Sequence, residues 1–337
     1  MTGSLKKRHQ GQRKQPTSSA QPDSSRNGPA KESNGNSGGG DHSSGDASGP
    51  GKRRLSEATI QRLLLRLAVL LAAAGVYFYT RQDKILELAT AKDNIGKRSQ
   101  PVACSDKYTA EIANYPGCTP SRCGRVISDK VVTPHEAQAL RDIATRAFQL
   151  TGGSSGGASI LDLHSGALSK GSSFVNVYQL PESQHLVSES DLRIYKAVKQ
   201  RVAHFISEHF QLAPGVLKLA KPTFFSRMTT KEARTVHDEY WHTHVDKETY
   251  PSFHYTSLVY LNDYGHDFQG GRFIFNDNDA NRTVEPKTGR VSAFTAGWEN
   301  PHQVEPVSDG VRFALTVAFT CDQSQAISDP ERRTGPM

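Results

Sequence analysis

His244 and Asp246, in Tyr240-Trp241-His242-Thr243-His244-Val245-Asp246, have the types and spacing to do chemistry. Two apart on an extended strand, an imidazole and a carboxylate point the same way and can bite one metal ion. They fill only two positions, so a third ligand must come from elsewhere. His302, in Asn300-Pro301-His302-Gln303-Val304, is the only histidine after residue 266, and Arg312 follows ten residues later. Pro306 to Gly310 between them is rich in turn formers, which predicts a hairpin with His302 on one strand and Arg312 on the next. Arg312 alternates with Ala314, Thr316 and Ala318, while Phe313, Leu315, Val317 and Phe319 take the other face. A guanidinium on the small-residue face of a core strand needs a counter-charge, and a ligand carboxylate would serve. Two histidines and one carboxylate suit Fe(II) and leave positions open for a chelating cosubstrate and dioxygen. Zinc in a hydrolase is the competing metal, but it has no need of the arginine.

These residues need strands to hold them. Short strands are expected at 216–228, 240–246, 254–261, 271–275, 290–295, 302–307 and 311–320, separated by turn residues. Two helices precede them. Thr133-Pro134 with Glu136 forms a capping box that starts one, running to about Leu150. Ser188 with Asp191 starts the second, with Leu192, Tyr195, Val198, Val202, Phe205 and Phe210 as its apolar face. Gly152 to Gly157 reads as a flexible loop. The order predicts an α+β fold, a β-sandwich or jelly roll with helices on one sheet. On this reading His242 shares a strand face with His244 and is a neighbour of the site. His237, His254 and His266 read as loop or surface residues, Trp241 as core, and Gly270-Gly271 as a close backbone approach or bulge.

Charge is uneven. By Arg66 the chain has used 12 of its 41 Lys+Arg and 5 of its 34 Asp+Glu, leaving 29 of each for the rest. The basic balance therefore belongs to an arm, and no nucleic-acid partner is expected. Residues 1–59 hold almost no large apolar side chains and are expected to be a disordered, cytosolic arm. Residues 60–80 (IQRLLLRLAVLLAAAGVYFYT) are long and apolar enough for a transmembrane signal anchor with Arg66 snorkelling and Tyr77, Phe78 and Tyr79 at the far interface. The basic flank lies before the span, so the expectation is a single-pass type II membrane protein whose later residues face the lumen or the extracellular side. Residues 81–125 read as a stem, helical over 84–91, and a Cys-containing loop; 126–322 as the main domain, with its core at about 209–322; 323–337 as a tail. Cys104, Cys118, Cys123 and Cys321 are disulfide candidates with three connectivities open, and one bond is expected in the loop from Cys104 to Cys123. Asn281-Arg282-Thr283 is a glycosylation acceptor on that side of a membrane. Oligomeric state leaves no mark in the sequence.

The motifs then make a recognisable series: His244-Val245-Asp246, Val259-Tyr260-Leu261-Asn262, Gly270-Gly271-Arg272-Phe273-Ile274-Phe275, Glu285-Pro286 with Gly289-Arg290, Pro301-His302 and Arg312-x-Ala314-x-Thr316. This order resembles the 2-oxoglutarate- and Fe(II)-dependent dioxygenases of the prolyl 4-hydroxylase branch. The resemblance covers about Val216 to Cys321 and implies a double-stranded β-helix. It implies that His244, Asp246 and His302 hold Fe(II), that Arg312 pairs with the far carboxylate of 2-oxoglutarate, that Tyr260 hydrogen-bonds it, and that L-ascorbate keeps the iron reduced. The implied reaction is oxidative decarboxylation of 2-oxoglutarate coupled to hydroxylation of a protein or peptide, prolyl or lysyl, by dioxygen. Relatives often carry a tyrosine in the strand before the histidine–aspartate pair; here that strand reads Phe224-Phe225-Ser226-Arg227-Met228. The alternatives are a non-catalytic jelly-roll binding protein and, less favoured, the zinc hydrolase.

Overall fold

The computed structural model describes residues 56–80, 84–234, 238 and 240–330. The arm up to Leu55, the tail from Glu331 and His237 lie outside the described residues.

Helix α1 (Glu57–Thr80) is long and apolar enough to cross a membrane, and its described side chains are exposed. Beyond it the chain forms β1 (Ile85–Ala89), β2 (Arg98–Pro101), α2 (Asp106–Ile112), β3 (Gly124–Ser128), α3 (Pro134–Thr151), β4 (Gly153–Ser154), β5 (Ala158–Leu161), β6 (Ala167–Gly171) and β7 (Ser173–Asn176). There follow α4 (Glu189–Phe210), β8 (Lys218–Leu219), β9 (Phe224–Thr229), the one-turn α5 (Asp246–Thr249), β10 (Tyr255–Tyr260), β11 (Phe268–Gly270) and β12 (Phe273–Asn276). The last strands are β13 (Asn281–Val284), β14 (Val291–Thr295), β15 (His302–Val304) and β16 (Val307–Thr320).

Two sheets face each other in a jelly roll. The small one runs β1-β13-β12-β15, and the large one runs β2-β3-β14-β10-β16-β9-β5-β6-β4. Strand β16 shows why both are needed. Its Phe313, Leu315, Val317 and Phe319 enter the core beneath α3 and α4, while Ala314 enters a second core with Tyr260, Phe273, Phe275, Phe294 and Val304. The period-2 alternation of a strand buried on both faces thus sends large side chains to the helices and small ones to the site.

Both helix starts are as expected. Thr133 accepts from the Glu136 N–H while Glu136 accepts from the Thr133 N–H, and Ser188 and Asp191 repeat the arrangement on α4. On α4, Tyr195, Val198, Val202 and Phe210 are buried, joined by Ile206, while Leu192 and Phe205 are half-buried. Helix α3 ends on Gly152 at φ 74°, the left-handed conformation that glycine tolerates best.

Six expectations need correction. Residues 84–91 do not form a helix: β1 pairs parallel with β13, because the small sheet has an edge for Ile85–Glu87 to complete. The region read as a stem also supplies β2, and 152–157, read as a loop, supplies β4. The stretch 240–246 is not a strand; His244 makes a single bridge to His302, and Asp246 begins α5. Nor do His302 and Arg312 sit on one hairpin, since β15 pairs with β12 in the small sheet and β16 with β10 and β9 in the large one. The chain changes sheets at Glu305-Pro306. Finally, His254 is buried, with its Nδ1 accepting from the Cys321 N–H at 3.1 Å.

Two disulfides tie the N-terminal part of the domain down: Cys104–Cys123, within the loop, and Cys118–Cys321, which reaches the end of β16. Arg290 does the same by charge. It donates from Nε and Nη2 to Asp129 at 2.7 and 3.0 Å and from Nη1 to the Thr90 and Glu285 carbonyls, each at 2.9 Å. Burial works against the charge on Asp129, but the Arg290 hydrogen bonds and charge and the Ile95 N–H hold its carboxyl below the usual range. A carboxylate whose folded pKa is depressed contributes stability that is present above its unfolded pKa and lost as the pH falls through the folded value. Asp129→Asn is therefore expected to destabilise the domain at neutral pH and to flatten its loss of stability below about pH 4. Denaturant unfolding across that pH range measures both; parallel curves for the two proteins would remove Asp129 from the acid response.

Candidate active site

The site is built where the small sheet meets the segment leading into α5. His244 and His302 exchange backbone hydrogen bonds, each N–H to the other's carbonyl at 2.9 Å. Two residues on, α5 turns the Asp246 carboxylate back toward them. Asp246 Oδ1 lies 3.8 Å from His244 Nε2 and 3.5 Å from His302 Nε2, and one ligand atom from each residue falls within 4.8 Å of the others. Among the described residues this is the one cluster that can hold a metal ion in this way.

The hydrogen bonds around the cluster prepare it. His244 Nδ1 lies 3.0 Å from the His242 carbonyl and His302 Nδ1 2.9 Å from the Asn300 carbonyl. Each Nδ1–H donates there, so each Nε2 keeps a lone pair for a metal. Thr256 Oγ1 donates to Asp246 Oδ2 at 2.6 Å and leaves Oδ1 facing the histidines. Burial, then the charge of His302, lowers the pKa of His244. Burial pushes the Asp246 carboxyl up, but the two histidines and Thr256 outweigh it and hold it below its ordinary value. A divalent cation needs the Nε2 lone pairs and the charged carboxylate together, and the lowered pKa values of His244 and Asp246 both run in that direction. His302 forms the wall, 5% exposed, with Phe273 stacked at 5.0 Å and Phe294 edge-on at the same distance. His244, 43% exposed, forms the open lip.

Arg312 is fully buried. Its Nε donates to the Gly271 carbonyl at 2.8 Å, its Nη1 reaches Met228 Sδ at 3.5 Å, and its Nη2 has no hydrogen-bond partner. Tyr260 lies beside it, with the guanidinium carbon 5.5 Å from the ring centroid. The Tyr260 hydroxyl is also buried without a hydrogen bond, and burial pushes it up to about 12, so it stays a donor at neutral pH. A buried cation and a buried hydroxyl with unused hydrogens fit a ligand carboxylate. Gly271 permits the arrangement: at φ 65°, a Cβ there would stand 2.9 Å from Arg312 Cδ. Gly271 also precedes β12, whose Phe273 stacks on His302, which links the arginine to the metal ligands.

All five expected residues thus fall in one region. Asn281 lies apart on β13, half-buried, its Oδ1 accepting from Asn276 Nδ2 at 3.2 Å. His242 contributes its carbonyl to His244, Trp241 is half-buried and His266 is exposed. Thr256, Asn300 and Tyr240 escaped sequence reasoning. Tyr240 Oη accepts from the Val307 N–H at 3.3 Å, and the Arg312 charge acts on it. Asn300, two before the histidine, carried a readable signal; Thr256 is an ordinary strand residue.

Residues 224–320 match the family described as the 2OG-Fe(II) oxygenase superfamily. A Xenopus tropicalis protein named 2-oxoglutarate and iron-dependent oxygenase domain-containing protein 3 is 49% identical over 263 residues, 76% of this chain and 82% of that one. The Homo sapiens protein of the same name is 51% identical over 245 residues, 72% of this chain and 76% of that one. Homo sapiens Prolyl 3-hydroxylase 2 is 45% identical over 71 residues, 20% of this chain and 10% of that one. Likeness of that degree over most of both chains makes this protein a member of the 2OG-Fe(II) oxygenase superfamily, a dioxygenase that works with Fe(II), 2-oxoglutarate and ascorbate.

Proposed function

We propose that this protein is a single-pass type II membrane protein whose oxygenase domain faces the lumen or the extracellular side and hydroxylates a protein or peptide, on a prolyl or lysyl residue. The observation that carries the catalytic reading is the convergence of two Nε2 atoms and one carboxylate oxygen near a buried arginine with an unpaired Nη2. When bound, the iron would bring together dioxygen, which is the oxidant, and 2-oxoglutarate, which supplies two of the four electrons: 2-oxoglutarate becomes succinate and CO2 and takes up one oxygen atom, and the other oxygen atom enters a substrate C–H bond. The protein's own part is positioning. His244, Asp246 and His302 hold the metal. Arg312 Nη2 and the Tyr260 hydroxyl donate to the far carboxylate of the cosubstrate. Phe273 and Phe294 keep water from the His302 side.

The membrane reading is supported by α1, by the basic residues that precede it and by two disulfides, which persist in oxidising compartments. The substrate class is supported by the name of the relative Prolyl 3-hydroxylase 2. Asn281-Arg282-Thr283 is a glycosylation site on this reading.

Full-length protein given Fe(II), ascorbate and 2-oxoglutarate is expected to release succinate. His302→Ala should remove metal binding. Arg312→Met should keep the metal and weaken 2-oxoglutarate binding on the order of 100-fold, the effect of stripping a buried charge of its partner. Unchanged cosubstrate affinity in Arg312→Met would end that assignment. In microsomes, added protease should spare the oxygenase domain, and Asn281→Gln should remove a glycosidase-sensitive gel shift. Cleavage of the domain in intact microsomes would reverse the topology.

A further inference from the structure

Arg125 lies on β3, outside the residues that match the family, and is 1% exposed. Its Nη1 donates to Asp277 Oδ2 at 2.8 Å and to Gln100 Oε1 at 3.0 Å, and its Nη2 closes the fork on Asp277 Oδ1. Its Nε is directed elsewhere, to the side-chain oxygen of Asn300 at 2.7 Å. The amide nitrogen of Asn300 donates to the Thr295 carbonyl at 2.8 Å and to Thr295 Oγ1 at 2.9 Å. Asn300 is thereby gripped at both ends of its amide. Its backbone carbonyl is the acceptor for His302 Nδ1. The Arg125 guanidinium also lies 3.9 Å from the ring centroid of Phe275, the residue opposite His302 in the β12–β15 pair.

From this geometry we infer that Arg125 is a positioning residue for the metal ligand His302, acting through Asn300. Fixing the side chain of Asn300 fixes the carbonyl that sets the proton on Nδ1 and points Nε2 at the metal. The other histidine is set differently: His244 Nδ1 donates to the carbonyl of His242, on an exposed segment. Joining β3 to β12 alone would not need a guanidinium, since packed apolar side chains hold strands at least as well as buried charge. What the guanidinium adds is three aimed donors on a planar fork, one of which serves the ligand's neighbour.

The inference rests on the reading of His302 as a metal ligand. The test is Co(II) titration of full-length protein in detergent, followed by the visible bands of the bound ion, alongside denaturant unfolding. Arg125→Lys keeps the charge beside Asp277 and loses the bond to Asn300. It is expected to weaken Co(II) binding roughly tenfold, the usual effect of losing an outer partner of a ligand. Asn300→Ala should weaken it at least as much, and the double variant should bind no worse than Asn300→Ala alone. Thr133→Ala, which removes the α3 cap, should lower stability and leave Co(II) affinity unchanged, which separates positioning from general loosening. If Arg125→Lys does not fold, Asp277→Asn, which frees the other side of the guanidinium, takes its place in the same cycle. Unchanged affinity in the single variant, or losses that add in the double, would overturn the role of Arg125 while leaving the metal site intact. A wild type that takes up no Co(II), or a His302→Ala variant that binds as tightly, would instead overturn the metal site itself.

Discussion

The reciprocal pair of hydrogen bonds between His244 and His302 is the constraint on which the site depends. It ties an irregular segment to the small sheet at one point and sets two imidazoles with ring centroids 4.4 Å apart. Much of the surrounding structure serves that pairing. Strand β12 carries β15, β13 carries β12, and β1 completes the sheet's edge. On the other side, Lys247 beside Asp246 pairs with Glu111 on α2 at 2.5 Å, and Ser105, the N-cap of α2, donates to Glu299 at 2.8 Å. Helix α2 therefore grips the chain next to Asp246 and just before His302, and the Cys104–Cys123 bond closes the loop that bears it.

Three buried arginines show how differently one side chain can be used. Arg290 spends every donor on Asp129 and on backbone carbonyls, which makes it a strut. Arg125 neutralises itself on Asp277 and has Nε left for Asn300. Arg312 has, among the described residues, no carboxylate partner, only one carbonyl, one sulfur and one unused nitrogen. A guanidinium is costly to bury without a counter-charge, which is the reason Arg312 is proposed as the partner of a ligand carboxylate. The first two are the protein's own standard for a satisfied arginine, and the third departs from it.

Much of this was legible in the residues. The two capping boxes rest on local chemistry, and the alternation along β16 rests on the pleat, so both could be read directly. His244 and Asp246 stood out by their spacing, His302 as the only late histidine, and Arg312 because a charge on the small-residue face of a core strand demands a reason. What could not be read was non-local. Ile85–Ala89 becomes a strand only because β13 offers it an edge, and Asn281–Val284 has too little apolar pattern to announce itself. His302 and Arg312 looked like hairpin partners because the turn residues between them mark a change of direction without saying which sheet follows. His254 looked superficial because its burial depends on Cys321, far along the chain. Thr256 and Arg125 had no sequence signal, since their meaning lies in what they touch.

Strand β16 has a further consequence, for the order in which the enzyme comes into being. It is the last strand among the described residues, yet it lies inside the large sheet, between β10 and β9, and also pairs with β8 and β11. During synthesis β9 and β10 must each wait with an unpaired edge until β16 arrives, which is when such chains are most open to mispairing. The same strand brings Arg312. Closure of the barrel and delivery of the anion-binding group are thus one event. A nascent chain can therefore gather His244, Asp246 and His302 before Arg312 arrives; on the proposed function it could then hold the metal before it could hold the far carboxylate of the cosubstrate.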